Sequence, residues 1–213
     1  MELTHGTLVI AVQGREFIVL GADSKGMLGD LGGPIVIGST RARKITLLSN
    51  HVGVATYGVG EFGENLLLQY QNARRKDLDG VTTIVEELRT FCRDKWSEWF
   101  RDIDVQARPP LGLMIAGLDK DQNEEYSVPR IYSIESMLNF APALHPYGYA
   151  CRGIPALATF IMDKKYREDM SVDELCDLVE STITRIAQTD PRIGIPVRVA
   201  LITPKEGARM VRE

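Results

Sequence analysis

Four residues of this sequence have types and positions that suit nucleophilic chemistry: Thr7, Asp23, Lys44 and Gly58. Thr7 follows Gly6 and opens the first apolar, β-branched run without a polar spacer, so it lies at the edge of the core. Asp23 closes the next run, Lys44 opens a third and Gly58 closes a fourth. A threonine hydroxyl is a weak nucleophile that needs a neighbouring base. If the two hairpins lie side by side, these strand ends bring together a hydroxyl, a carboxylate, an amine and a backbone N–H.

Two other patterns offer weaker chemistry. Gly58–Gly63 matches G-x-G-x-x-G between a strand and a helix. A dinucleotide site requires a following strand that ends in an acidic residue, and here a second helix follows instead. The histidines His5, His51 and His145 are far apart and lack the spacing of metal ligands. We therefore expect no cofactor and no metal.

Composition narrows the class of protein. The chain has 213 residues, of which 44% are hydrophobic and 25% charged, as in an ordinary globular domain. The net charge of -4 argues against a nucleic-acid partner, and no apolar run reaches the length of a membrane span. Nothing at the N-terminus resembles a signal peptide. We expect one cytoplasmic domain in which Cys92, Cys151 and Cys176 are buried, reduced thiols.

The hydrophobic periodicity defines the elements that position the site. Strands are predicted at Thr7–Val12, Glu16–Ala22, Ile35–Ile37, Lys44–Leu48, Val52–Tyr57, Leu111–Leu118, Arg130–Ile134, Ala143–Ala150 and Val197–Thr203. Helices are predicted at Phe62–Lys76, Val81–Phe100, Gly153–Tyr166 and Val172–Gln188, the last opened by a Ser171–Glu174 capping box. Blocks of strands that alternate with pairs of helices indicate an α+β fold of antiparallel sheets covered by helices.

The basic cluster Arg41, Arg43 and Lys44 has two interpretations, a solvated turn or part of a site. Side chains alternate along a strand, so Arg43 and Lys44 should point to opposite faces. We expect Lys44 to face inward, where a buried lysine needs a carboxylate partner to remain charged.

With these residues in register, the chain resembles a proteasome β subunit, a threonine peptidase of the N-terminal-nucleophile hydrolase class. Gly6-Thr7 matches the glycine that ends the family's propeptide and the catalytic threonine that follows it. Asp23 falls sixteen residues after Thr7, as the family's aspartate does. Lys44 in Arg43-Lys44-Ile45 matches the catalytic lysine after a few extra loop residues, and Gly58 matches the oxyanion glycine at the end of the fourth strand.

The resemblance spans almost the whole chain. Asp190 matches an aspartate that follows the family's last long helix, and Met170–Glu174 and Val199–Thr203 also resemble family segments. The family's α subunits carry a long N-terminal helical extension, which is not seen here. The resemblance implies a four-layer αββα sandwich formed by residues 1–213, with residues 1–6 as a short propeptide.

The resemblance also implies a mechanism. Self-cleavage after Gly6 would free the α-amine of Thr7, which then accepts the proton of its own hydroxyl. Lys44 would favour the neutral form of that amine, because like charges disfavour each other. Asp23 would hold Lys44 charged and oriented, and the Gly58 N–H would bind the oxyanion. Gly6, without a Cβ, would permit the tight turn that self-cleavage needs.

Substrate and assembly follow from the same resemblance. Gly26, Ala42, Thr56 and Gly60 would line the specificity pocket, and their small side chains predict a roomy one. The expected substrate is a peptide or an unfolded protein, and the expected assembly is a homo-oligomeric ring. Whether an ATPase feeds the ring stays open.

Two positions depart from the family pattern. Arg152, in Cys151-Arg152-Gly153, and Ile193 stand where the family has serines that relay protons around the terminal amine. They favour the alternative interpretation, a catalytically silent ring subunit with a structural or binding role.

A second threonine also competes as nucleophile. Choosing Thr4 requires a three-residue insertion before Asp23 and places Leu3, rather than a glycine, before the scissile bond. Thr7 is therefore the preferred nucleophile.

Overall fold

The computed structural model describes residues 6–28, 36–74 and 80–213. Thr4 and the remainder of the predicted propeptide before Gly6 lie outside the described residues, as do Ile35 and Lys76. The elements, in chain order, are β1 (Leu8–Gln13), β2 (Ile18–Ala22), β3 (Gly26–Leu28), β4 (Val36–Ser39), β5 (Ile45–Ser49), β6 (Val52–Gly58), α1 (Gly60–Ala73), α2 (Val81–Trp99), β7 (Leu111–Lys120), β8 (Tyr126–Glu135), β9 (Ala143–Leu144), β10 (Tyr149–Gly153), α3 (Ala156–Lys165), α4 (Val172–Ala187), β11 (Arg198–Thr203) and β12 (Gly207–Arg212).

The larger strands form two antiparallel sheets of five strands each. The first sheet has the order β10-β1-β2-β11-β12, and the second has the order β5-β6-β7-β8-β9. β3 and β4 pair with each other as a separate ribbon. The predicted α+β class with antiparallel sheets is confirmed.

Both faces of each sheet are covered, which explains why the central strands are apolar at nearly every position. Leu8, Ile10 and Val12 pack against α3 and α4. The alternate residues of β1, Val9 and Ala11, pack between the two sheets. The outer face of the second sheet is covered by α1 and α2. The layers are therefore α, β, β and α, as the resemblance implies.

Helix signals in the sequence hold in the structure. Ser171 and Glu174 form both halves of the predicted capping box at the start of α4.

Cys92, Cys151 and Cys176 are buried and free, as predicted. No helix within residues 6–28, 36–74 and 80–213 has both the length and the apolarity needed to cross a bilayer.

The prediction of one strand over Ala143–Ala150 is wrong. The chain forms β9 on the second sheet and β10 on the first, because it crosses between the sheets in a turn where Gly148 has a φ of +77°. The prediction that Val197–Thr203 is the last strand is also wrong, since β12 follows it and pairs with β11. β12 is an edge strand whose residues are only partly buried, so its apolar pattern is too weak to mark it as a strand.

Candidate active site

Strand pairing brings Thr7 and Asp23 together. β1 and β2 are antiparallel neighbours, so the start of β1 lies beside the end of β2, with Val9 opposite Ala22. The N–H of Asp23 donates to the carbonyl oxygen of Leu8 at 3.1 Å, and the N–H of Leu8 donates to Asp23 Oδ1 at 2.9 Å. The hairpin itself therefore fixes the carboxylate next to the nucleophile candidate.

Lys44 joins the two residues from the opposite sheet. Its Nζ donates to Asp23 Oδ1 at 2.7 Å and to Thr7 Oγ1 at 3.0 Å. Asp23 is fully buried, and Thr7 and Lys44 are 4% and 5% exposed, so the three groups interact away from bulk water. Arg43 is exposed where Lys44 is buried, as alternation along the strand predicts, but it also lines the cleft described below.

The Asp23 carboxylate is fully engaged. Besides Lys44 and the Leu8 N–H at Oδ1, it accepts hydrogen bonds at Oδ2 from the backbone N–H groups of Lys25 and Gly194, both at 3.0 Å. A buried carboxylate with several donors is held in one orientation. These backbone donors are parts of the site that the sequence alone did not identify.

Burial changes the acidity of Lys44. Desolvation lowers the pKa of its ammonium below the usual 10.5, and the attraction of Asp23 opposes this change without cancelling it. Lys44 therefore releases a proton more readily than an exposed lysine does.

Gly58 ends β6 with a backbone that requires glycine. Its φ is +87°, and a Cβ there would collide with the carbonyl oxygen of Pro110. The N–H of Thr56 bonds to the carbonyl of Lys44 on the β5 side, whereas the N–H of Val59 bonds to Pro110 on the β7 side. Because alternate N–H groups of an antiparallel strand point to the same neighbour, the Gly58 N–H points to the same side of β6 as the Thr56 N–H, past the start of β5.

These groups open on a cleft of about 560 Å³. Thr7, Lys44 and Gly58 line it, and so do three of the predicted pocket residues, Gly26, Ala42 and Gly60. The fourth, Thr56, is buried and does not line this cleft. Thr56 shares its strand face with Val52 and Val54, which pack towards α1 and α2, and it contacts Gly63 of α1.

The cleft also contains acidic residues that the sequence analysis missed. Glu61 and Glu64 line it from the first turns of α1. Desolvation, followed by repulsion from Glu61, raises the pKa of the Glu64 carboxyl, and attraction by Lys44 opposes the rise. Residues three apart on a helix lie on the same face, so the positions of Glu61 and Glu64 in a helix that begins at Gly60 indicate that both face the cleft.

Asp190 lies in a separate arrangement. Its carboxylate accepts hydrogen bonds from Arg192 through the backbone N–H at 2.9 Å, Nε at 2.9 Å and Nη2 at 2.7 Å. These bonds hold the pKa of Asp190 below its ordinary value. The Arg192 backbone packs against Gly6, so closely that a Cβ on Gly6 would overlap it. The structure thus links Asp190 to the residue before Thr7 through Arg192.

The two departures from the family pattern lie close to the site. Ile193 is 3% exposed and packs in the core, just before the Gly194 N–H that binds Asp23. Arg152, on the edge strand β10, lies opposite Val9 of β1 and forms an ion pair with Glu135.

Among residues 6–28, 36–74 and 80–213, no group of three or more His, Cys, Asp or Glu residues is arranged to hold a metal ion.

Comparisons with known proteins show which proteins the chain is similar to. No family model matches the chain. The chain is 22% identical over 218 residues to proteasome subunit beta type-1 of Saccharomyces cerevisiae, covering 99% of this chain and 89% of that protein. It is 27% identical over 218 residues to proteasome subunit beta 2 of Pyrococcus furiosus, covering 99% and 93% respectively. For proteasome subunit beta of Methanosarcina thermophila the identity is 25% over 215 residues, covering 96% and 90%. Similarity of this extent supports a proteasome β-like family for the chain.

Proposed function

We propose that this proteasome β-like chain is a threonine endopeptidase, whose nucleophile Thr7 is released by self-cleavage after Gly6. The observation that carries the proposal is the position of Lys44 Nζ, 2.7 Å from Asp23 Oδ1 and 3.0 Å from Thr7 Oγ1. A buried ammonium held by a carboxylate beside a hydroxyl is an activating environment for a nucleophile.

Self-cleavage comes first. Thr7 Oγ attacks the carbonyl carbon of Gly6. The Lys44 ammonium gives a proton to the Thr7 nitrogen as that nitrogen leaves, and the resulting amine takes up the proton of Oγ. The C–N bond breaks as an ester bond forms at Oγ, and water then hydrolyses that ester. The products are a peptide of residues 1–6 with a free carboxyl group and a chain that begins at Thr7. Asp190, by fixing Arg192 against Gly6, holds the scissile peptide in place.

Peptide hydrolysis uses the same atoms. Thr7 Oγ attacks the substrate carbonyl and transfers its proton to the new α-amine, whose ordinary pKa of about 7.7–8.0 leaves a usable neutral fraction near pH 7. The amine product departs with that proton, and water hydrolyses the acyl ester. The Gly58 N–H donates to the oxyanion, a type of interaction whose loss costs about 3–4 kcal/mol in other enzymes.

The cleft receives the substrate. Gly26, Ala42 and Gly60 keep it wide. Its lining carries charges of both signs, from Glu61 and Glu64 and from Lys25, Arg41, Arg43 and Lys44. Thr56 contributes from behind, because its contact with Gly63 fixes α1 against β6. The substrate class we propose is an extended peptide or an unfolded protein.

We also propose a homo-oligomeric ring. The relatives are named as proteasome subunits, and the chain matches about nine-tenths of their length. Closed symmetry is the usual form of homo-oligomers. Light scattering that gives only the 23.7 kDa of a monomer would count against the ring.

A second candidate function is a catalytically silent ring subunit. Arg152 and Ile193 occupy the two serine positions, and Asp190 is engaged by Arg192. These observations favour a chain that retains the fold without the proton relay. The set of Thr7, Lys44 and Asp23 opposes this reading, since a silent subunit has no need of a buried ion pair against a hydroxyl.

Hydrolysis of a fluorogenic peptide by three proteins tests the proposal: the parent, Thr7→Ala and Thr4→Ala. We expect activity in the parent and in Thr4→Ala, and none in Thr7→Ala. Activity that survives in Thr7→Ala and is lost in Thr4→Ala would transfer the nucleophile to Thr4. An inactive parent, folded by circular dichroism, would favour the silent subunit.

A further inference from the structure

A polar bridge connects the two sheets on the β8 side of β6, away from β5. The Tyr57 hydroxyl, at the end of β6, donates to Glu135 Oε1 of β8 at 2.8 Å. Arg152 Nε, on β10 of the other sheet, lies 3.4 Å from the same oxygen. One carboxylate therefore joins the strand that carries Gly58 to the edge strand of the first sheet.

The second sheet is shaped to admit this bridge. Gly112 on β7 is the register partner of both Tyr57 on β6 and Glu135 on β8. A Cβ on Gly112 would collide with the Tyr57 ring, so the ring lies across the space that this glycine leaves. Only across a residue without a side chain can the hydroxyl reach a carboxylate two strands away.

Arg152 belongs to the segment that holds the backbone of Thr7. The carbonyl oxygen of Thr7 accepts a hydrogen bond from the N–H of Ile154 at 2.9 Å. Gly153, with a φ of +89°, lies so close to that oxygen that a Cβ would overlap it. Arg152 also approaches His145 Nε2, which is 3.0 Å from Ser133 Oγ, so its guanidinium is held from two sides.

The catalytic set is divided between the sheets, which gives the bridge a task. Thr7 and Asp23 belong to the first sheet, and Lys44 and Gly58 to the second. The core between the sheets is rich in alanine, and apolar contacts are not directional, so they do not by themselves fix a distance across the gap. A hydrogen bond and an ion pair at defined distances do: Lys44 provides them beside β5, and the bridge provides them at the end of β6.

We propose that Arg152 is a positioning residue, which acts through Glu135 and Tyr57 to hold the strand of the Gly58 oxyanion donor at a fixed distance from Thr7. The inference rests on the proposed peptidase function. Under this proposal, Arg152, which stands where the family has a serine, supports catalysis and is not a sign that catalysis has been lost. Misplacement of reacting groups by about 1 Å costs up to about a hundredfold in rate.

The test is steady-state hydrolysis of a fluorogenic peptide by Arg152→Ser, Tyr57→Phe and the double variant. We expect kcat to fall about tenfold in Arg152→Ser and somewhat less in Tyr57→Phe, with KM nearly unchanged, because the bridge contacts no substrate. The double variant should be no slower than Arg152→Ser, because either change breaks the same bridge. Arg212→Ser is the matched control. It removes an arginine of β12, in the same sheet, that is ion-paired to Glu180 of α4, and the variant should behave as the parent.

Three results would overturn the inference while leaving the peptidase intact. The first is an unchanged or increased kcat in Arg152→Ser. The second is a double variant whose kcat falls by the product of the two single effects. The third is a rise in KM without a fall in kcat in either single variant. If Arg152→Ser does not fold, Tyr57→Phe, which removes one hydroxyl, decides alone by its kcat. A parent that hydrolyses no peptide would instead refute the proposed function, and this inference with it.

Discussion

Replacing Lys44 by alanine removes the only ammonium that contacts both Asp23 and Thr7 in the described part of the chain. We expect this variant to lose both self-cleavage and peptide hydrolysis. Its neighbour Arg43 provides the control, because Arg43→Ala removes a similar charge one residue away from an exposed position. The two changes are equal in charge, and both residues line the cleft. They differ in burial and in contacts, because Lys44 is buried against Asp23 and Thr7, whereas Arg43 is exposed.

The structure sets the size of both effects. Lys44 Nζ is 3.0 Å from the attacking oxygen, and loss of one preorganised donor at such a distance lowers kcat by about 10²–10³. Breaking a buried ion pair costs about 3–5 kcal/mol. Asp23 keeps its three backbone donors in this variant, so we expect the loss of unfolding free energy to be at the lower end of that range, about 3 kcal/mol. For a chain of this size, that loss corresponds to a Tm decrease of about 6–12 °C.

Two measurements on each variant make the test. Intact mass reports whether residues 1–6 are lost, and a fluorogenic peptide reports turnover, with circular dichroism to verify the fold. Lys44→Met, which retains the volume of the side chain, separates loss of charge from loss of packing. If Lys44→Ala and Arg43→Ala were equally active, Lys44 would not belong to the site and the basic cluster would be a solvated turn.

Three further predictions concern other parts of the molecule. Gly58→Ala should abolish turnover and lower Tm, because its Cβ would meet the Pro110 carbonyl and its φ is +87°; wild-type turnover in that variant would remove Gly58 from the mechanism. The pKa of Glu64 is raised above 4.5 in the folded protein, so its contribution to stability is present below that pH and is lost as pH rises through the folded pKa. Glu64→Gln should therefore have a higher Tm than the parent at pH 7 but not at pH 4. An equal shift of Tm at both pH values would contradict the burial of this carboxyl. Burial raises the pKa of the Cys151 thiol to about 12, and Cys92 and Cys176 are buried as well. Iodoacetamide at pH 8 should therefore leave all three thiols unmodified until the protein is denatured. Rapid labelling of the native protein, measured by mass spectrometry, would refute their burial.

Local sequence patterns predict much of this molecule. The apolar, β-branched runs on either side of Gln13-Gly14 and of Ser49-Asn50 define the two hairpins whose ends carry Thr7, Asp23 and Lys44. The ends of paired strands meet by geometry, so the proximity of Thr7 and Asp23 follows once the first hairpin is known. The approach of Lys44 does not follow from strand pairing, because its hairpin belongs to the other sheet.

Other features depend on contacts that local patterns do not encode. The split between β9 and β10 follows from a crossing between sheets, and β12 gains its hydrogen bonds from β11 rather than from its own pattern. The ion pair of Asp190 with Arg192 depends on the conformation of the turn after α4. The Tyr57–Glu135–Arg152 bridge joins residues 78 apart in sequence at its first contact, which no periodicity predicts.

The placement of Thr56 is a different case, because alternation along β6 already predicts it. Thr56 has the same parity as Val52 and Val54, whose side chains face the helices. Strand parity, applied to each pocket candidate, would have separated Thr56 from the residues that line the cleft.

The central claim is that Thr7 becomes the first residue of the active protein, and the intact mass of the purified protein tests it most directly. The account predicts a mass lower by residues Met1–Gly6 in the parent and the full mass in Thr7→Ala. Full mass in a parent that nevertheless cleaves peptides would contradict the account, because no free α-amine would then be available at Thr7. Full mass without activity would instead support the silent subunit.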